Sequence, residues 1–197
     1  MIGLESASRA VSDHLAEHLP PRLQMLEDEL GPCTPAGANP MPQLISWFAL
    51  DAAQLPVEDW PWIMVVGRET PALTMVESIP EGDAYDVTYN VRAYAYVRGD
   101  GYEGTSSLRS RVTLGIREIA LTKPTLGDTG ARIDVPSLRE SYSELDEIEL
   151  LGTIAASYVD LRVIAREVVR TDIPPYGRAR TIAVTVRRLP TPSPEGS

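Results

Sequence analysis

Strict alternation of apolar and polar positions is the strongest signal along this chain. From Tyr85 to Arg98 the odd positions are Val87, Tyr89, Val91, Ala93, Ala95 and Val97, and the even ones Thr88, Asn90, Arg92, Tyr94, Tyr96 and Arg98. Period 2 predicts a strand with one buried face and one polar, amphipathic face. Two more runs alternate in the same way. Val159, Leu161, Val163 and Ala165 interleave with Asp160, Arg162, Ile164 and Arg166, and Ile182, Val184 and Val186 with Thr181, Ala183, Thr185 and Arg187. The run Trp60 to Gly67 reads as a short buried strand, with Thr70 to Val76 as its hairpin partner.

Helical periodicity occurs in three places. Residues 4–19 carry Ala7, Val11, Leu15 and Leu19 at i, i+4 spacing, with Ala10 and His14 on the same stripe. Pro20-Pro21 is expected to end or kink that helix, because neither residue can donate a helical hydrogen bond. Arg22 to Leu30 is a second segment with Leu23, Leu26 and Leu30 on one face, stopped by Gly31-Pro32. Thr105 to Leu121 is the third, with Leu108, Val112, Ile116 and Ile119 inward and Thr105 as N-cap. The segments around these elements, GPCTPAGANPMP and TKPTLGDTG, read as irregular loop and turn. Residues 131–142 read as extended, with Pro136 confining them to an edge, and ELDEIELL (144–151) as an acidic loop or short helical turn.

This order predicts an α+β fold: a mostly antiparallel or mixed sheet with helices packed on one face. Residues 1–189 are expected to form one domain, and the Pro- and Ser-rich 190–197 a disordered tail. A chain of 197 residues with 43% hydrophobic and 23% charged content has the make-up of a soluble globular protein. It can bury roughly 70% of its unfolded surface, so it needs no disulfide or metal to hold a core. The lone Cys33 excludes a disulfide framework within the chain and a cysteine zinc site. No apolar run approaches the ~18 residues of a transmembrane helix, and the N-terminus lacks a signal peptide's apolar block. An intracellular origin with no membrane partner is the expectation.

Charge divides the chain. Residues 1–90 hold 14 acids and 3 bases, a net of −11, whereas residues 91–197 hold 14 and 15, a net of +1. Nothing in that balance supports a phosphate-gripping basic face, so no sequence-specific nucleic-acid partner is expected. A solvated acidic surface is the plainest account of the N-terminal half; a charge-steered partner site is the other.

Several motifs invite chemistry and fail on inspection. Gly99-Asp100-Gly101-Tyr102-Glu103-Gly104 matches G-x-G-x-x-G between a strand and a helix. A dinucleotide fingerprint follows a buried parallel strand, which reads as a continuous apolar run, and residues 85–98 alternate instead. Asp100 and Glu103 would stand where a pyrophosphate must sit, and the position ~20 residues on is Lys123-Pro124 rather than an acid. A flexible strand-to-helix loop is the expected reading. His14 and His18 share a helical face without a third nitrogen or sulfur ligand, so a partly buried helical histidine is favoured over a metal pair. Glu144, Asp146, Glu147 and Glu149 lack the glycine and ligand spacing of a calcium loop. No catalytic residue, metal or cofactor is assigned.

The even face of residues 88–98 is the surface of interest. Arg92, Tyr94, Tyr96 and Arg98 stand in a row, and tyrosine and arginine are enriched at interface cores. With Asp100 and Glu103 from the following loop they form the candidate subunit or partner interface.

The run YDVTYNVRAYAYVRGDGYEGTSSLRSRVTLGIREIAL (85–121) resembles the tail terminator proteins of long-tailed phages infecting actinobacteria. Those proteins show a long strand ending in Val-Arg, here Val97-Arg98, then a Tyr-x-x-Thr loop, here Tyr102 to Thr105. An arginine-rich helix follows, closing in Arg-Glu-x-x-Leu, here Arg117-Glu118 to Leu121. TLGDTGARIDVPSLRESYSEL (125–145), the N-terminal helix, the Pro-rich loop and the Trp-Pro segment share the likeness, which spans most of residues 1–190; the ending LPTPSPEGS departs from the family's short finish. The resemblance implies a structural virion protein without catalytic residues that caps the tail tube at its final length, usually as a hexameric ring, and presents the surface for head–tail joining. Implied partners are further copies of itself, the major tail tube protein and a head-completion or connector protein, with DNA passing through the ring lumen. The implied location is the tail–neck junction, after assembly in the host cytoplasm. The alternatives are another neck or head-closure component and, resting on G-x-G-x-x-G alone, a small nucleotide-binding enzyme.

Overall fold

Helix α1 (Gly3–Leu30) and helix α2 (Gly101–Thr122) lie on one side of a single sheet. The computed structural model describes residues 3–31, 46–48, 62–79, 82–98, 101–143 and 154–170. Its strands are β1 (Ser46–Phe48), β2 (Trp62–Ile79), β3 (Gly82–Arg98), β4 (Thr125–Leu126), β5 (Ala131–Ile133), β6 (Arg139–Ser143) and β7 (Ile154–Arg170). The order across the sheet is β1-β2-β3-β7-β5-β4, with β6 pairing β7 beside β5. β1 runs parallel to β2 and every other pair is antiparallel. The fold is α+β, as the element order predicts. No helix among the described residues is long and apolar enough to cross a membrane.

The alternation at 85–98 becomes the central strand. Val87, Tyr89, Val91, Ala93, Ala95 and Val97 are all at most 3% exposed and face the helices, together with Val159, Leu161, Val163 and Ala165 of β7. Leu15, Leu19, Leu23 and Leu26 of α1 and Leu108, Val112, Ile116 and Ile119 of α2 close the core from the other side. A buried hydrogen bond joins the two layers, with Thr113 Oγ1 of α2 2.7 Å from Ser157 Oγ of β7.

Four expectations are corrected. Pro20 and Pro21 do not end the first helix: α1 runs through both. The two prolines are exposed, and the carbonyls they release belong to half-buried Ala16 and exposed Glu17, within reach of water. Continuing the helix buries Leu23 and Leu26, worth about 1.5–3 kcal/mol each, which is of the same size as the about 3 kcal/mol that each of the two interior prolines costs. Thr70–Val76 is not a hairpin partner of the preceding strand but its continuation, and the partner of the whole of β2 is β3. Thr105 is not an N-cap. Helix α2 starts at Gly101, and Thr105 Oγ1 donates to the Gly101 carbonyl at 2.7 Å within the first turn, so the last part of the G-x-G-x-x-G run is helix rather than loop. Residues 131–142 are broken by a 3-10 turn, Val135–Ser137, which holds Pro136 off the ladder while β5 and β6 pair separate parts of β7. The predicted strand at 181–187, the acidic run 144–149, most of the Pro-rich loop and the tail 190–197 lie outside the described residues.

Candidate subunit interface

The face of the sheet turned away from the helices is ordered in rows by register. Trp62, Tyr96 and Ala156 stand side by side, then Met64, Tyr94, Tyr158 and Ser141, then Val66, Arg92, Asp160 and Arg139, then Glu69, Asn90 and Arg162. One end is therefore aromatic and the other cationic, with Arg92 at the junction.

At the aromatic end, Trp62 and Tyr96 stack with ring centroids 3.9 Å apart and planes at 27°. Tyr94 lies 6.2 Å from Tyr96 and 5.9 Å from Tyr158, within the range of favourable ring pairs. Trp62 and Met64 are buried, whereas Tyr94, Tyr96 and Tyr158 are half-buried and line the face. Burial, and secondarily the neighbouring Tyr94, raises the Tyr96 phenol above its ordinary pKa.

Arg92 is held from two sides. Its Nε and Nη2 reach the two Asp160 oxygens at 2.6 and 2.8 Å, a fork geometry that fixes the guanidinium in plane. Its Cζ sits 3.8 Å from the centre of the Tyr158 ring and 5.6 Å from that of Tyr94. The Asp160 bonds push its pKa further above the usual arginine range. Beyond Arg92, a depression of about 240 Å³ is lined by Arg68, Arg139 and Arg162 among others.

The predicted interface residues therefore divide. Arg92, Tyr94 and Tyr96 come together on one face. Arg98, registered against Ile154, is the exposed end of the same row. Glu103 is exposed in the first turn of α2, not on the sheet, and Asp100 lies outside the described residues. Trp62, Tyr158, Asp160, Arg139 and Arg162 complete the face without having been singled out in the sequence. The alternation at 159–166 announces the strand that carries Asp160 and Arg162, but the cross-strand register that brings Asp160 to Arg92 has no local signal.

The histidine pair is engaged within the helical layer. His14, 6% exposed, donates from Nε2 to the Lys123 carbonyl at 2.9 Å, and Lys123 Nζ donates to His18 Nδ1 at 3.1 Å. The two rings meet edge to face at 4.6 Å. Burial first, and then the His18 ring, lower the His14 pKa. Among the described residues no three His, Cys, Asp or Glu side chains gather into a metal-binding group.

No family model and no curated protein matches this chain.

Proposed function

We propose that this protein is a structural virion component of the tail-terminator kind: it caps the phage tail tube, ends elongation and presents the surface to which the head joins. The observation that carries the reading is the outer sheet face, where Tyr94, Tyr96 and Tyr158 stand half-exposed beside an anchored Arg92. Aromatic and arginine side chains already held in place bury large area with little further loss of freedom, which is what an interface core requires. The resemblance of residues 85–145 supplies the biological setting.

A closed ring needs two different patches on each copy, because a head-to-tail contact joins unlike surfaces. The outer sheet face is one. The acidic N-terminal half, −11 over residues 1–90, supplies the other. In this reading the chain catalyses no reaction and holds no cofactor or metal. Its partners are its own copies, the tail tube below and a head-completion protein above. Deleting the gene from its phage is expected to leave tails of uncontrolled length and unjoined heads in electron micrographs. Joined tails of normal length would contradict the reading.

A further inference from the structure

The cationic end of the outer sheet face carries more charge than it neutralises. Both acids beside the depression are already engaged: Asp160 accepts the fork of Arg92, and Glu69 Oε1 accepts from Asn90 Nδ2 at 2.7 Å. Arg68, Arg139 and Arg162 are exposed and enter no salt bridge among the described residues. With Arg92 and Asp160 paired, three guanidinium groups face a single further carboxylate, Glu69, so the depression keeps a net positive charge and is set up to receive anionic groups.

Helix α1 has the opposite character on its outer side, where Asp13, Glu17 and Asp28 are exposed. The helix's own arginines are taken, Arg9 by Glu5 and Arg22 by Glu29 and Glu118. Among the described residues Asp28 receives the Gln24 amide at 3.4 Å and no salt bridge, and the His18 ring approaches Glu17 with Nε2 at 3.9 Å. The sheet stands between the acidic stripe and the arginines, so a single copy cannot bring them together. Two copies can.

We propose that the arginine end of the outer sheet face of one copy docks on the acidic outer stripe of α1 of a second copy. This contact rests on the ring reading above and names its two patches. It joins unlike surfaces, so it repeats from copy to copy and closes where the rotation per step closes. The adjoining tyrosine row places apolar area next to the charge, which supplies affinity, while the charges set orientation and encounter rate. The charged part weakens as salt rises, because these side chains are exposed to screening.

Sedimentation velocity of the full chain tests it. Two variants are made separately, Arg139→Glu with Arg162→Glu and Asp13→Lys with Glu17→Lys. All four side chains are exposed, so both variants are expected to melt like the wild type. Each alone is expected to raise the concentration needed for assembly by at least ~tenfold. Mixed one to one, the variants again meet with opposite charges at every contact, and assembly is expected to return. Assembly unchanged by either reversal, or a mixture that stays dissociated, overturns the contact while leaving the ring reading intact. Reversals that spare assembly but abolish binding of a short DNA duplex assign the arginines to phosphate and overturn it too. A wild-type chain that stays monomeric at every concentration removes the ring reading, and this contact with it.

Discussion

Tyr89 and Glu167 show how much one buried pair can hold. The Tyr89 hydroxyl donates to Glu167, and the same carboxylate accepts from the Gly3 amide at 3.2 Å, tying the start of α1 to the sheet. Both side chains are at most 5% exposed. Burial first, and then the Glu167 hydrogen bond, raise the Tyr89 pKa to about 12. An unfolded tyrosine titrates near ~10, so the folded state favours the neutral phenol. That stabilisation is complete below pH ~10 and is lost as pH rises through about 12; a two-unit gap is worth about 3 kcal/mol. Urea unfolding from pH 9 to 12 is expected to show this loss in the wild type and to lack it in Tyr89→Phe. Parallel curves for the two proteins would contradict it. The pair was only half legible in sequence: alternation places Tyr89 inward, but nothing local marks Glu167, 78 residues away, as its acceptor.

Among the elements, β2 departs furthest from its sequence reading. Gly67 and Pro71 look like punctuation, and the run splits naturally into two short strands around them. The structure keeps one strand by shifting register at Gly67/Glu69 and at Glu69/Ala72, so that Pro71 falls in the second shift and no ladder pair is asked of it. Gly67 serves a different end, the approach of α1. A Cβ there would lie 2.5 Å from Leu4 Cγ and 2.7 Å from Ser8 Oγ. Ser8 is buried and its Oγ donates to the Leu4 carbonyl at 2.9 Å, so neither neighbour withdraws freely. Gly67→Ala is expected to lower stability by about 1–3 kcal/mol in chemical denaturation. A change under ~0.5 kcal/mol would mean that the first turn of α1 moves away without cost. Helix α1 teaches the same lesson in reverse. Its prolines are strong local stop signals, and the tertiary burial of Leu23 and Leu26 beyond them overrides those signals. A second close approach, at Gly115, lets α2 lie against Leu19 and Leu23 of the continued helix, with Leu19 Cδ1 only 2.8 Å from where a Cβ would stand.

At the scale of the whole molecule, the sheet divides two kinds of surface. The helical side buries the core, and the outer side grades from stacked aromatics to free arginines. The composition of that outer face was legible from Arg92, Tyr94, Tyr96 and Arg98, because alternation alone assigns residues to faces. Its layout was not, since Trp62, Tyr158 and Asp160 arrive through pairings set by the packing of distant strands. The layout changes which tyrosine best probes assembly. Tyr96 covers buried Trp62, so its removal carries a folding cost, whereas Tyr94 meets the neighbouring rings only at 5.9 Å and more and otherwise takes a long 3.5 Å hydrogen bond from Arg92, which Asp160 holds without it. Tyr94→Ala is therefore the more direct probe of the central claim, that the outer sheet face assembles copies into a cap on the tail tube. The decisive measurement is electron microscopy of purified tail tubes mixed with wild-type or Tyr94→Ala protein, alongside the melting temperatures of both. The account predicts rings capping the tubes with the wild type, and bare tubes with a variant that melts within a few degrees of it. A variant destabilised by several kcal/mol that still caps the tubes would place Tyr94 in the folded core and the interface elsewhere.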